Sequence, residues 1–225
     1  MDELARKTIV GFIQLFAALC ILLFVPAGTA NYWEAWVYMF IFLTTSALLL
    51  VYLWRHDRAL LERRMKGGPT AESHRSQKLI MTILSIAFLA GLVVPALDHR
   101  FGWSHVPVAL VLVGDAMIVL ANYAVFVVFR ENSFAAATVV VSADQKVIST
   151  GPYAVVRHPM YAGMLPLLIG SSLALGSYWG IAVWVLAVPA LIWRLIDEEK
   201  LLSKNLPGYT EYCKKVRYRL IPYVF

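Results

Sequence analysis

Scarcity narrows the field before any motif is found. The 225 residues hold two cysteines, five histidines and only 15% charged side chains. Two cysteines cannot build a disulfide framework, and with Cys20 inside an apolar run and Cys213 in a basic tail both are expected as free thiols. The histidines, His56, His74, His99, His105 and His158, have no metal-ligand spacing and no thiol beside them, so no metal site is expected. There is no G-x-S-x-G elbow to expose a serine nucleophile. Nor does any strand run into a glycine-rich turn and helix, which excludes a soluble dinucleotide-type methyltransferase or dehydrogenase. So little charge leaves no soluble basic domain for nucleic acid.

What is abundant is apolar sequence: 60% of the residues are hydrophobic and the mean hydropathy is +0.68, a composition of integral membrane proteins. Crossing a hydrocarbon core about 30 Å thick takes roughly 20 helical residues. Stretches of that kind lie at 8–27, 34–54, 79–97 and 107–129, and 160–196 reads as a fifth and a sixth. Within that last stretch "ALGSYWG" offers the turn signal at Gly176 and Ser177, so a tight hairpin of two shorter helices is expected. The fold class is therefore an all-α polytopic membrane bundle of about six spans.

Lys and Arg test the layout independently, because they concentrate in cytoplasmic loops. Nineteen of the 20 basic residues fall on one side of these six crossings, and Arg100 falls opposite. Both termini are thus expected to be cytoplasmic, with the net charge of +6 facing anionic lipid. The first span, ending near "AGTA" at 27–30, is expected to stay rather than be cleaved as a signal peptide. Its apolar run is too long, and Asp2 and Glu3 dilute the positive start.

The chain divides into a four-span membrane region, 1–129, and a C-terminal catalytic region, 130–225, that carries nearly all the chemistry. The 55–78 loop, rich in Arg and Lys, reads as a solvated basic loop touching lipid head groups, with a short helical piece broken at Gly67, Gly68 and Pro69.

Two clusters stand out in the C-terminal region. In "QKVISTGPYAVVRHPMYAG", residues 145–163, Gly151 and Pro152 mark a bend, and Pro159 sits where a helix begins with His158 as its boundary. Free N–H groups at such an end favour an anion such as a carboxylate. The bland alternative is a helix start with Arg157 and Tyr161 as interfacial anchors. In "WRLIDEEKLL", residues 193–202, Arg194 and Glu198 share a helix face, and Asp197 and Glu199 widen an acidic edge against the basic trend of this side, so cations are expected to face it. Its bland alternative is a solvated helix end. A hairpin over 160–196 sets the two clusters side by side at one membrane face. The pocket between them offers an anion-binding helix start, acids for an ammonium, and Tyr153 and Tyr161 for a sulfonium. S-adenosylmethionine has all the complementary parts, although spacing alone does not name it.

"GPYAVVRHPMYAG" followed by "EEKLLSKNLPGYTEYCKKVRYRLIP" resembles the C-terminal signature of the isoprenylcysteine carboxyl methyltransferase family over about residues 145–222. The resemblance implies a membrane helical bundle, S-adenosylmethionine as methyl donor and a lipophilic substrate reached from the bilayer. It places Tyr153, His158, Pro159, Met160 and Tyr161 on the donor pocket, and Gln145, Lys146, Val147 and Ile148 as backbone contacts, with Gln145 standing where the family often has His. Glu198 would hold the donor, with Glu199 its rival because the tail aligns only with a one-residue gap before Tyr209. Arg194 would position the substrate carboxylate.

An ionised carboxylate needs no general base, since it titrates near 3.3–3.7. A phospholipid N-methyltransferase carries a similar pattern but has to deprotonate an ammonium, and no spare base is evident. An NADPH-dependent sterol or enone reductase shares a related RHPxY element, without a clear set of cations here for its phosphates. A noncatalytic lipid-binding protein would bind ligand without turnover.

Overall fold

The computed structural model describes residues 2–72, 74–139, 141–142 and 144–225. They form eight α-helices, α1 (Glu3–Ala27), α2 (Trp33–His56), α3 (Arg58–Met65), α4 (Arg75–Phe101), α5 (Val108–Glu131), α6 (Pro159–Ala174), α7 (Tyr178–Asn205) and α8 (Tyr209–Lys215), with short 3-10 turns at Pro69–Ala71 and Gly151–Ala154 and no strand among the described residues. α1, α2, α4, α5 and α7 are each long and apolar enough to cross a membrane, and α6 is a shorter apolar helix. The protein is a polytopic helical membrane bundle whose outer surface carries bare hydrophobic side chains such as Phe40, Leu120 and Leu186.

Local chemistry explains the helix boundaries. Asp2 caps α1 by accepting from the Ala5 N–H at 2.7 Å, and the helix ends where Gly28 takes φ +68°. α6 starts at Pro159, whose missing N–H would have had no partner in the first turn. The α6–α7 turn is where the sequence placed it: Gly176 has φ +69° and the Ser177 hydroxyl caps α7 by accepting from the Gly180 N–H at 3.1 Å. Of the two hairpin helices only α6, with 16 residues, is short; α7 runs 28, accommodating Pro189 and continuing past the apolar stretch to Asn205, where the stop signals Asn205, Pro207 and Gly208 in the sequence lead one to expect its end.

Small residues set the packing distances. A Cβ on Gly114 of α5 would sit 2.4 Å from the Ala174 backbone nitrogen of α6, and one on Gly91 of α4 would sit 2.3 Å from the Trp184 ring of α7. Helix association in lipid depends on such close backbone approach. The end holding the α6–α7 turn is tied tightly: Tyr32 donates to the Leu175 carbonyl at 2.6 Å, and Asp98 accepts from the Ser177 hydroxyl at 2.5 Å and the Ser104 N–H at 2.6 Å.

At the opposite end the 55–78 segment differs from a solvated loop. Asp57 caps α3 through the Leu60 N–H at 2.9 Å, and Leu60 and Leu61 are completely buried with Leu4, Leu53, Val128, Phe129 and Ala135. Its adjacent leucines supply an apolar face that the basic residues around them mask in the sequence.

A candidate ligand site at the basic end of the bundle

A cavity of about 530 Å³ opens at this end between α3, α4, α6, α7 and α8, closed on one side by the segments 134–139 and 145–148. It is lined by all of Gln145, Lys146, Val147, Ile148, Tyr153, His158, Pro159, Met160, Tyr161, Arg194 and Glu198. Glu199 is the one sequence-nominated residue off its wall. One flank, formed by Met81, Leu84, Phe88 and Leu89 of α4 with Met164 and Leu191, is apolar, and Phe88 and Leu89 are also exposed on the bundle's outer surface.

Arg194 organises the polar flank. It is 5% exposed, and its Nε donates to the Tyr161 hydroxyl at 3.0 Å while Tyr161 donates to Glu198 Oε2 at 2.7 Å. Nη1 reaches Glu72 Oε1 at 2.9 Å and Gln77 Oε1 at 2.8 Å, and Nη2 donates to the Ala137 carbonyl at 3.0 Å. Four of its five N–H groups are therefore engaged. Arg194 and Glu198, which share a helix face, do not pair directly. The arginine instead forms its ion pair with Glu72, and Tyr161 stands between it and Glu198. Glu198 consequently has one oxygen fixed by a phenol and forms no ion pair among the described residues.

The acidic edge has three separate employments. Asp197 accepts from the Ser76 hydroxyl and the Gln77 amide, each at 2.8 Å, so neutral donors rather than a cation face it. Glu199 is enclosed by cations: Arg219 donates to its Oε2 at 2.9 Å, Arg157 Nε lies 3.0 Å from Oε1 as an ion pair without hydrogen-bond alignment, and His158 Nε2 is 3.3 Å away. The same tail binds the motif through its backbone, with the Arg157 and His158 N–H groups donating to the Tyr218 and Arg219 carbonyls at 2.9 Å. Glu199 thus staples the "RHP" segment to the tail, whereas Glu198 faces the cavity.

Two tyrosines of α8 complete the wall. Tyr212 donates to the Tyr153 carbonyl at 2.7 Å, and Asn132 donates to the Tyr153 hydroxyl at 2.8 Å. Burial pushes the Tyr153 phenol up to about 12. The Tyr209 hydroxyl is buried with no partner among the described residues, and burial followed by the Glu199 charge raises its pKa. All three phenols are neutral donors at physiological pH.

Sequence reasoning missed Glu72, Gln77, Arg64, Tyr209 and Tyr212. For Glu72 a signal was present, an acid placed just after a Gly-Gly-Pro break in an otherwise basic loop. It is buried, and its second oxygen accepts from the Val139 N–H at 3.2 Å. Tyr209 and Tyr212 belong to the tail whose resemblance was noted without giving its tyrosines a role.

Residues 109–207 match the family model described as phospholipid methyltransferase. Among curated proteins, Delta(14)-sterol reductase TM7SF2 of Mus musculus is 35% identical over 91 residues, which are 39% of this chain and 22% of that protein. The chain thus spans about a fifth of the length of that relative. The family match covers nearly all of α5 and the whole of α6 and α7, leaving α3, α4 and α8 of the cavity wall outside it.

Proposed function

We propose that this protein is an integral membrane S-adenosylmethionine-dependent methyltransferase that esterifies the carboxylate of a lipophilic, isoprenylcysteine-type acceptor, with its cavity on the cytoplasmic face. The observation that carries this reading is the Arg194–Tyr161–Glu198 chain ending in a carboxylate that faces the cavity without an ion-pair partner among the described residues. The match to the phospholipid methyltransferase model supports methyl transfer, and the 19-to-1 partition of basic residues supports the sidedness.

The residues present fit the donor. Glu198 has a free oxygen for an ammonium, the unpartnered Tyr209 hydroxyl offers a buried hydrogen bond, and segment 145–148 lends the wall its backbone groups. When bound, S-adenosylmethionine supplies an activated methyl group on a sulfonium. Tyr161 holds Glu198 in one orientation, and Arg194 holds Tyr161, so the donor face is preorganised before ligand arrives. Arg194 keeps one N–H to offer an acceptor carboxylate at the junction between the donor face and the apolar flank. The Leu84, Phe88 and Leu191 flank excludes water and admits a hydrocarbon tail from the bilayer. No residue has to remove a proton, because the acceptor is ionised at neutral pH.

The rivals need different equipment. A phospholipid amine requires a base, and the buried tyrosines are pushed toward neutrality. The resemblance to part of a sterol reductase favours a dinucleotide reading. Against it, Arg194 and Arg157 are each committed to a glutamate, which leaves Arg64 and Lys146 to face the several phosphates of NADPH.

The experiment supplies labelled methyl donor and a prenylated cysteine analogue to the protein in lipid. Label released as methanol by mild alkali is the expected result. Alkali-stable label on a lipid amine would replace the carboxyl reading with the amine one, and NADPH consumption without methyl transfer would replace both.

A further inference from the structure

Arg64 is a cation on the cavity wall that has no carboxylate partner among the described residues. It stands on α3, where the buried Leu60 and Leu61 fix the helix and leave Arg64 pointing to the cavity. Its Nη1 lies 3.2 Å from the Ala136 carbonyl, 3.5 Å from that of Ala135 and 3.5 Å from Met160 Sδ. Its guanidinium carbon sits 5.1 Å from the Phe129 ring centre. No carboxylate pairs with it among the described residues, in contrast to Arg194 with Glu72, and Arg157 and Arg219 with Glu199. Burial depresses the Arg64 pKa, with Tyr161 opposing the shift and the Arg194 charge adding to it.

A half-buried guanidinium facing a cavity without a counterion is incompletely compensated, and the planar fork of Arg is suited to bidentate capture of an oxyanion. Carbonyls on one side occupy Nη1, and Nε and Nη2 make no bond among the described residues. The donor's charged groups have their partners elsewhere on the proposed reading, at Glu198 and the α6 start. Arg64 touches Met160 and belongs to the wall supplied by α3 rather than by α6 and α7.

We propose that Arg64 receives the anionic group of the methyl acceptor and so sets the preference for an ionised acceptor over its ester. This rests on the carboxyl methyltransferase reading for the identity of the anion. Arg64 is then a specificity residue, and product release is built into the site: once the carboxylate has become an ester, the charge that Arg64 holds is gone.

The test measures binding, not turnover. The full chain in detergent, saturated with S-adenosylhomocysteine, is titrated with a prenylthio carboxylate, its methyl ester and an alkyl phosphodiester of similar length. The unsubstituted protein is expected to bind the carboxylate about 30-fold more tightly than the ester, the size of a charge-assisted pair. Arg64→Gln keeps a donor for the Ala135 and Ala136 carbonyls and is expected to cut that ratio about tenfold with ester affinity unchanged, the remainder being the single N–H that Arg194 offers. Arg64→Lys is expected to retain most of the ratio. S-adenosylhomocysteine affinity, unchanged in both variants, reports that the site is folded. An undiminished ratio in Arg64→Gln overturns the inference, and so does a tenfold loss of S-adenosylhomocysteine affinity in Arg64→Gln that Arg64→Lys restores, since Arg64 would then serve the donor. Arg64-dependent binding of the phosphodiester alone supports Arg64 as the acceptor-anion residue and overturns the carboxyl reading of the reaction instead.

Discussion

The cavity is built from two regions of unlike character. The α6–α7–α8 region presents a sequence motif, a staple of ion pairs around Glu199 and a preset Tyr161–Glu198 pair. The α3–α4 region presents no motif, yet it contributes Glu72, Gln77, Arg64 and the apolar flank. On the proposed reading, the difference reflects a small, chemically fixed donor that needs particular residues at particular spacings, and an acceptor with a long apolar part that is met by a surface many sequences can make. Substitutions in the two regions are expected to fail in separable ways.

The sharpest break is expected at Glu198. Glu198→Gln leaves the donor's ammonium without its counterion, and S-adenosylhomocysteine affinity, measured by calorimetry, is expected to fall about 100-fold, in line with the several kcal/mol that an uncompensated buried charge costs. Next is Arg194→Ala, expected to lower turnover about 30-fold while donor affinity changes about threefold, because Tyr161 loses one of its two bonds but still meets Glu198. Equal large losses in both quantities would give Arg194 the same role as Glu198.

Glu72→Gln is the corresponding change on the α3–α4 side. It is expected to lower turnover about tenfold, less than loss of the arginine, because a neutral amide still accepts from Nη1. In a double-mutant cycle Glu72→Gln and Arg194→Ala should couple by about 1–3 kcal/mol, the range for residues sharing one network, and additivity would dissolve the link between the regions. The smallest effect is expected for Glu199→Gln, a few-fold loss of donor affinity together with faster trypsin cleavage at Arg217 and Arg219, read by mass spectrometry as the tail frees itself from residues 157–158.

How much of this was legible in the sequence follows from the same division. The spans, the Gly176–Ser177 turn and the Pro159 helix start were readable because they rest on local chemistry: apolar runs, a left-handed glycine, a proline without its N–H. The cavity residues of 145–161 and Glu198 were readable through resemblance and hairpin topology. The separate roles of Glu198 and Glu199 were not, because adjacent residues on a helix face different directions and the positions of Arg157, His158 and Arg219 in the fold decide which one is enclosed. The α3 segment was misread because burial of two adjacent leucines is a tertiary fact, and its charges carry the signature of a solvated loop. Glu72 and Arg194 are 122 positions apart in sequence, and nothing local records their pairing.

The length of α6 bears on how the reaction rate depends on its surroundings. Its 16 residues rise about 24 Å, short of a hydrocarbon core about 30 Å thick. A helix of that length whose far end, tied at the α6–α7 turn, sits at one membrane surface would leave its proline start and the cavity recessed from the other. On the proposed reading the acceptor would then reach the site by lateral diffusion without leaving the bilayer, and the concentration governing saturation would be its mole fraction among lipids. Diluting the membrane with inert lipid at constant total acceptor is expected to slow the reaction, whereas changing the aqueous volume at constant membrane composition is not.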